Sequence, residues 1–227
     1  MQLTTLKFFL SSLLLLFLQA AEAQVTQEAI DSLKRIQKPV ALRIGTDLIM
    51  LGKNFFDRPL TGWEVNADVD FGRYYLAFDY GSWSRKDSLN NGYYANDGRY
   101  YRMGVDVNFL LKDPDKNMFF LGFRYGRSSF SESLTYEIKT DDFGTIERSI
   151  ANAGTTAGWV ELTTGLRVKI WKSFWMGYNG RIKFLPGIKN NNGFETYDIP
   201  GYGLWSKKLY WGFNYQVFVK IPFRRGK

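Results

Sequence analysis

Between Leu209 and Phe223 every second residue is large and apolar: Leu209, Trp211, Phe213, Tyr215, Val217, Val219, Ile221 and Phe223. Gly212, Asn214, Gln216 and Lys220 stand between them. Period two is the mark of a β-strand with one apolar and one polar face. Soluble strands usually last about five or six residues, whereas a tilted strand that crosses a hydrocarbon layer needs about ten. The length of this alternation restricts the chain to a fold whose long strands present a continuous apolar face.

The pattern recurs along Val40–Met50, Trp63–Phe71, Tyr74–Gly81, Tyr101–Leu111, Phe119–Gly126, Val160–Ile170 and Met176–Phe184, which with the last segment makes eight strands. Their second face mixes glycines with full charges, as in a narrow barrel whose interior is filled by side chains. The connections alternate in length. Gly72-Arg73, residues 112–117 and residues 171–173 are short, while residues 84–98, 129–156 and 186–203 are long. An even strand number with short turns on one side and long loops on the other is the outer-membrane arrangement. A soluble lipocalin-type barrel would turn its apolar face inward, but here the aromatic-rich set is the one assigned outside. The expected fold is all-β: an eight-stranded antiparallel transmembrane up-and-down β-barrel over residues 40–223, with short periplasmic turns and long external loops.

Ahead of it, Lys7, the apolar run 8–18 and Ala21-Glu22-Ala23 form a secretory signal, expected to span residues 1–23. The run is too short for a transmembrane helix, and no cysteine follows it to carry a lipid anchor. Residues 24–39 form a periplasmic N-terminal segment. Thr26 can cap a helix there, with Ile30, Leu33 and Ile36 on one side and Pro39 ending it; a disordered tether fits equally well. Residues 224–227 make a basic tail.

The inward positions carry a charge network: Arg43, Asp47, Glu64, Asp68, Asp70, Asp79, Arg102, Asp106, Arg124, Glu161, Arg167, Lys169, Arg181 and Lys183, with Lys220 beside them. Acids concentrate in the first four strands and bases in the last four, so they meet across the lumen. Buried charges must pair or lose several kcal/mol each, which predicts an ion-pair plug; a narrow ion path is the alternative. Aromatic residues fall at strand ends, where bilayer interfaces favour them. Trp63, Trp159 and Trp211 are expected at the outer rim, and Phe71, Tyr74, Trp171 and Phe223 at the inner rim.

The chain has no Cys and no His. A Ser-His triad in its usual form is impossible, as is an imidazole or thiolate metal site. Asp68 and Asp70 read as lumen ion-pair elements, not as an acid–base pair. Asp141-Asp142 and Asn190-Asn191-Asn192 lack the spacing of a calcium loop. No catalytic, cofactor or metal residue is expected, and the chain is not read as an enzyme. Its net charge of +8 is dispersed, so no nucleic-acid partner is expected.

The alternating strands, the terminal aromatic Phe223, Gln24 after the signal, frequent Tyr-Gly and the missing Cys and His resemble small outer-membrane β-barrel proteins of Gram-negative bacteria. Within these, the likeness is to uncharacterised barrels of the Bacteroidota. Arg224–Lys227 after Phe223 departs from the usual aromatic ending. The resemblance is architectural, covers residues 40–223 and transfers no catalytic signature. It implies residence in the bacterial outer membrane, contact with outer-membrane lipid and a structural or interaction role; it permits a subunit of an envelope secretion or assembly complex. The expected contact for an envelope partner is the loop Ser129 to Thr156 or the N-terminal segment. The alternative is a narrow transport channel or a small-ligand-binding barrel, for which the basic wall Arg167, Lys169, Arg181 and Lys183 speaks.

Overall fold

The computed structural model describes residues 39–56, 59–140, 144–189 and 193–223. The expected signal, most of the N-terminal segment, the basic tail, Asp141-Asp142 and Asn190–Asn192 lie outside them.

Eight long strands close a barrel: β1 (Ala41–Asp47), β2 (Leu60–Asp70), β3 (Tyr74–Leu89), β4 (Gly92–Asn108), β5 (Met118–Thr140), β6 (Gly144–Trp171), β7 (Phe174–Lys189) and β10 (Leu209–Pro222). Each pairs antiparallel with its neighbours in sequence, and β1 seals the ring by pairing with both β2 and β10. Ile44, for example, lies between Ala67 on one side and Val219 on the other. A closed ring leaves no strand edge unpaired along its closed part, as a membrane barrel requires. A two-residue ribbon pair, β8 (Asp198–Ile199) with β9 (Gly203–Leu204), sits in the connection before β10.

Alternation sets the two faces. Leu76, Phe78, Val105, Phe123, Leu166, Phe213 and Val219 are exposed on the outside, while Arg43, Glu64, Asp79, Arg102, Asp106, Arg124 and Glu161 are buried inside. The polarity is the reverse of a water-soluble barrel.

Three expectations need correction. First, β1 stops at Asp47, and Leu48–Phe56 form a helix, α1, where the sequence reads as continuing strand. Asp47 Oδ1 accepts the backbone N–H of Ile49 at 2.9 Å, satisfying a first-turn donor. The Asn54 amide then bonds both the N–H and the carbonyl of Gly62, at 2.7 and 2.8 Å, as a strand neighbour would.

Second, the connection 84–98 is not an open loop, and 129–156 is a hairpin along its length, as the alternation of Leu134, Tyr136 and Ile138 already suggests. Strands β3 and β4 stay in register up to Leu89 opposite Gly92, and β5 and β6 up to Thr140 opposite Gly144, with one bulge between Phe130 and Glu132. Above the apolar belt the outward positions become Asp97, Arg99, Arg127 and Ser129. The apolar alternation therefore ends although the hydrogen-bond ladder continues.

Third, Trp159 is not on the outer girdle. It is completely buried. It shares the inward parity of Glu161, and its Nε1–H donates to the Glu161 carboxylate at 2.7 Å.

Candidate functional site

Inside the ring, Asp47, Glu64, Asp68, Asp70, Asp79, Asp106 and Glu161 match Arg43, Arg102, Arg124, Arg167, Arg181, Lys183 and Lys220 one for one in number. The lumen therefore carries no net charge to select ions. Most of these groups form one chain of alternating sign. Arg43 bonds Asp68 at 2.7 Å, and Asp68 also holds Arg167 at 2.9 Å. Arg167 reaches Asp106 at 3.2 Å, which Arg124 bonds at 2.8 Å. Arg124 continues to Asp79 at 2.6 Å, which Arg102 approaches at 3.2 Å. Arg102 pairs with Glu64 and lies 3.8 Å from Glu161, which Arg181 meets at 3.4 Å. At the turn end, Lys220 pairs with Asp70 at 3.1 Å.

Several of these links cross the lumen. Arg167 of β6 reaches Asp68 of β2 on the opposite wall, and Arg124 of β5 reaches past β4 to Asp79 of β3. Arg124 stands opposite Glu161 in the strand register but turns to Asp79 and Asp106 instead. Guanidinium groups suit this because one fork can serve two carboxylates.

Besides Asp70, which among the described residues pairs with Lys220 alone, three of the expected network residues stand apart from the chain. Asp47 accepts from the Asn214 amide and the Ile49 N–H and has no cation within ion-pair distance among the described residues. Lys183 donates to the carbonyls of Gly201 and Tyr202, at 2.7 and 2.9 Å. Lys169 is not in the lumen at all; it is exposed at the turn end, 3.6 Å from Asp115. It keeps inward parity, opposite the buried Trp175, but stands at the open rim just before the bulge between Lys169 and Trp171. The basic wall proposed for a ligand is thus divided: Arg167 and Arg181 belong to ion pairs, Lys183 to a carbonyl pair, and Lys169 to the surface.

The sequence reading missed the aromatic layers that close the ionic chain at both ends. Toward the turns, the Arg43 guanidinium lies 4.6 Å from the Tyr75 ring centroid, and Arg167 lies 4.8 Å from Phe120 and 5.1 Å from Phe218. Toward the loops, Tyr100, Trp159 and Tyr202 are fully buried together. Tyr100 donates its hydroxyl to Glu64 at 2.6 Å. Parity held the signal: Tyr75, Tyr100, Phe120 and Trp159 all stand on the polar face of their strands. On the outside, Trp63, Tyr74, Trp171, Trp211 and Phe223 are exposed, and Phe71 is half-buried in its turn.

The strand extensions and residues 193–204 interlock into a crown over the lumen. Glu132 of β5 accepts from Tyr94 and Asn152 at 2.9 Å each. Asn152 of β6 also donates to the Phe194 carbonyl at 2.8 Å and accepts the Gly193 N–H at 2.7 Å. Burial pushes the Tyr94 hydroxyl well above its ordinary pKa and the Asp198 carboxyl upward, although Arg85 stands 3.6 Å from Asp198. Below the crown a cavity of about 320 Å³ remains at the outer mouth, beside α1 and β10.

Among solved structures, the chain is similar to the crystal structure of Neisserial surface protein A, with a TM-score of 0.37 and 9% identity over 81% of this chain and 96% of that one. It is also similar to the crystal structure of Acinetobacter baumannii CarO2, with a TM-score of 0.41 and 13% identity over 82% of this chain and 98% of that one. The barrel topology stands on this chain's own strand register. No curated protein sequence matches it significantly. A family model described as "Domain of unknown function (DUF6048)" matches residues 5–226. That match spans nearly the whole chain, and the chain belongs to the DUF6048 family.

Proposed function

We propose that the protein is a non-enzymatic, non-conducting barrel of the bacterial outer membrane that presents a rigid external crown to an envelope partner. The observation that carries this reading is the alternating ion-pair chain from Arg43 to Arg181, closed by aromatic layers at both ends. An eight-stranded ring has only enough interior for its own side chains, and here those side chains hold one another. Nothing in the lumen is left to move ions or substrate along the axis. Membrane residence rests on the exposed apolar belt. Phe78, Val105, Phe123, Phe213 and Val219 would be costly in water and are suited to acyl chains.

The interaction role rests on the crown. The β5–β6 hairpin projects beyond the apolar belt, and its base is pinned by Glu132 and Asn152. Near its tip Glu137 stands directly opposite Glu147. Like charges facing across a strand pair are destabilising in an isolated hairpin, and a basic partner surface relieves them. A subunit role in an envelope secretion or assembly complex fits this arrangement.

The test is twofold. In planar bilayers the purified barrel gives no unitary conductance; clear channels refute the plug. Recovery of partners from native membranes is then compared for the wild type and Glu137→Lys. Loss of a partner with an intact, heat-modifiable barrel supports the crown as the contact. Unchanged recovery moves the contact elsewhere.

A further inference from the structure

The barrel wall is incomplete on one side, at the level of the outer apolar belt. Strand β1 ends at Asp47, opposite Gln216 of β10, so β10 residues Leu209–Tyr215 have no strand partner on that side. On the other flank, β2 residues above Val65 have likewise lost β1. Helix α1 occupies the gap between them, held to β2 by Asn54. It presents Phe55 and Phe56 outward, 80% and 90% exposed. The flanking outward residues Trp63, Val65, Trp211 and Phe213 belong to the apolar belt.

The 320 Å³ cavity lies at this seam. Its lining joins inward groups (Tyr100, Arg102, Lys183) to Trp211 and Phe213, which are 59% and 56% exposed on the outer wall. The space therefore borders both the lumen mouth and the β10 wall beside α1. Its volume matches about ten waters, room for a small charged head and the start of a chain. The charged residues that line it are Lys53, Arg102 and Lys183 against Asp47 and Glu64, an excess of positive charge. Arg102 and Glu64 pair with each other, and Asp47 is held by Asn214. Lys53 and Lys183 have no carboxylate within 4.0 Å among the described residues; Lys53 rests 5.9 Å from the Trp83 ring centroid. Lys183 uses two of the three ammonium donors on carbonyls.

We infer that this seam is a lateral binding site for an anionic amphiphile. The charged head lies in the cavity against Lys53 and Lys183, and the acyl chain leaves between α1 and the Trp211–Phe213 edge of β10. The polar end meets cations and phenols, and the apolar end meets lipid without crossing a polar surface. The inference rests on the membrane placement proposed above, so insertion is scored separately by heat-modifiable mobility.

Native mass spectrometry of the full barrel in neutral detergent tests it, with palmitate, a lysophosphatidylglycerol, monopalmitoylglycerol and inorganic phosphate as separate probes. The expected result is one palmitate or one lysophospholipid retained per barrel, with neither the uncharged monoglyceride nor phosphate alone retained. Retention of palmitate only assigns a carboxylate head, and retention of the lysophospholipid only assigns a phosphate head; either supports the site. Lys53→Glu reverses the charge that α1 contributes to the cavity lining and leaves the ion pairs of the lumen chain in place. Gly212→Leu adds bulk beside Arg181 and Lys183, whose Cγ and Cε lie 3.0 and 3.1 Å from the position of the new Cβ. Each should reduce retention by at least about tenfold, while Lys139→Glu on the β5–β6 hairpin leaves it unchanged. Equal retention of the monoglyceride, binding of phosphate alone, or full retention in both seam variants by folded, heat-modifiable barrels overturns the proposal.

Discussion

Arg124→Met is the sharpest probe of the lumen. The side chain is completely enclosed and bridges two carboxylates, Asp79 at 2.6 Å and Asp106 at 2.8 Å. Methionine keeps much of the volume and removes the charge. Asp79 retains Arg102 at 3.2 Å, Arg181 at 3.9 Å and the Asn66 amide at 2.7 Å. Among the described residues Asp106 retains only Arg167, at 3.2 Å. Removing one partner of a buried ion pair costs about 3–5 kcal/mol. Because both carboxylates keep another cation, the lower end applies, about 3 kcal/mol. With a urea slope of about 2 kcal/mol per molar, the unfolding midpoint falls by roughly 1.5 M. The assay is urea unfolding in lipid vesicles, followed by tryptophan fluorescence and by heat-modifiable mobility. Adding Asp106→Asn removes the stranded charge and should recover part of the loss, as coupled neighbours do. A midpoint shift below about 0.3 M in the single variant, within the scatter expected of surface changes, would refute the network as a stabilising plug. So would a double variant weaker than the single one.

Val105→Arg places a charge on the lipid face and should impair insertion by about 2–4 kcal/mol; if it is harmless while the inward Asn108→Val is severe in the same folding assay, the two faces are reversed. Asn152→Ala removes the bonds to Phe194 and Gly193 and should free residues 193–204 to proteolysis while the barrel still resists heat. Asp198 has a carboxyl pKa raised by burial. The folded crown therefore binds its proton more tightly than the unfolded chain, so the stabilisation is full below the ordinary carboxylate pKa and is lost as pH rises through the raised value. Amide protection across 193–204, taken relative to the intrinsic exchange rate at each pH, should be greater at low pH than at neutral pH, and Asp198→Asn should abolish the difference.

The strand number and the two faces were legible because lipid outside and charge inside impose period two on every strand. Legibility failed where that contrast fades. Above the belt both faces are polar, so 84–98 read as loop and 129–156 only partly as hairpin; Glu132 keeps the inward parity of β5 there, whereas the bulge shifts β6 by one residue and brings Asn152 inward. Leu48 and Met50 continued the alternation of β1 and outweighed the one local sign of a helix start, the capping-type Asp47. Trp159 was misplaced by residue type; its parity with Glu161 carried the right answer. The pairing of the lumen charges was legible only in outline, since Arg124 passes over its register neighbour Glu161 for two carboxylates on other strands.

The central claim is that the exposed apolar belt faces acyl chains. The chain lacks cysteine, so a nitroxide can be attached at a single introduced cysteine in place of Val105, Phe123, Leu166 or Val219, each on the outer face. Electron paramagnetic resonance in vesicles then compares collision with oxygen, which concentrates in hydrocarbon, against collision with a water-soluble nickel complex. The account predicts that oxygen dominates at all of these sites, while a label at Ser129 above the belt favours nickel. Nickel dominating at Val105 and Phe123 in a folded, heat-modifiable barrel would contradict it.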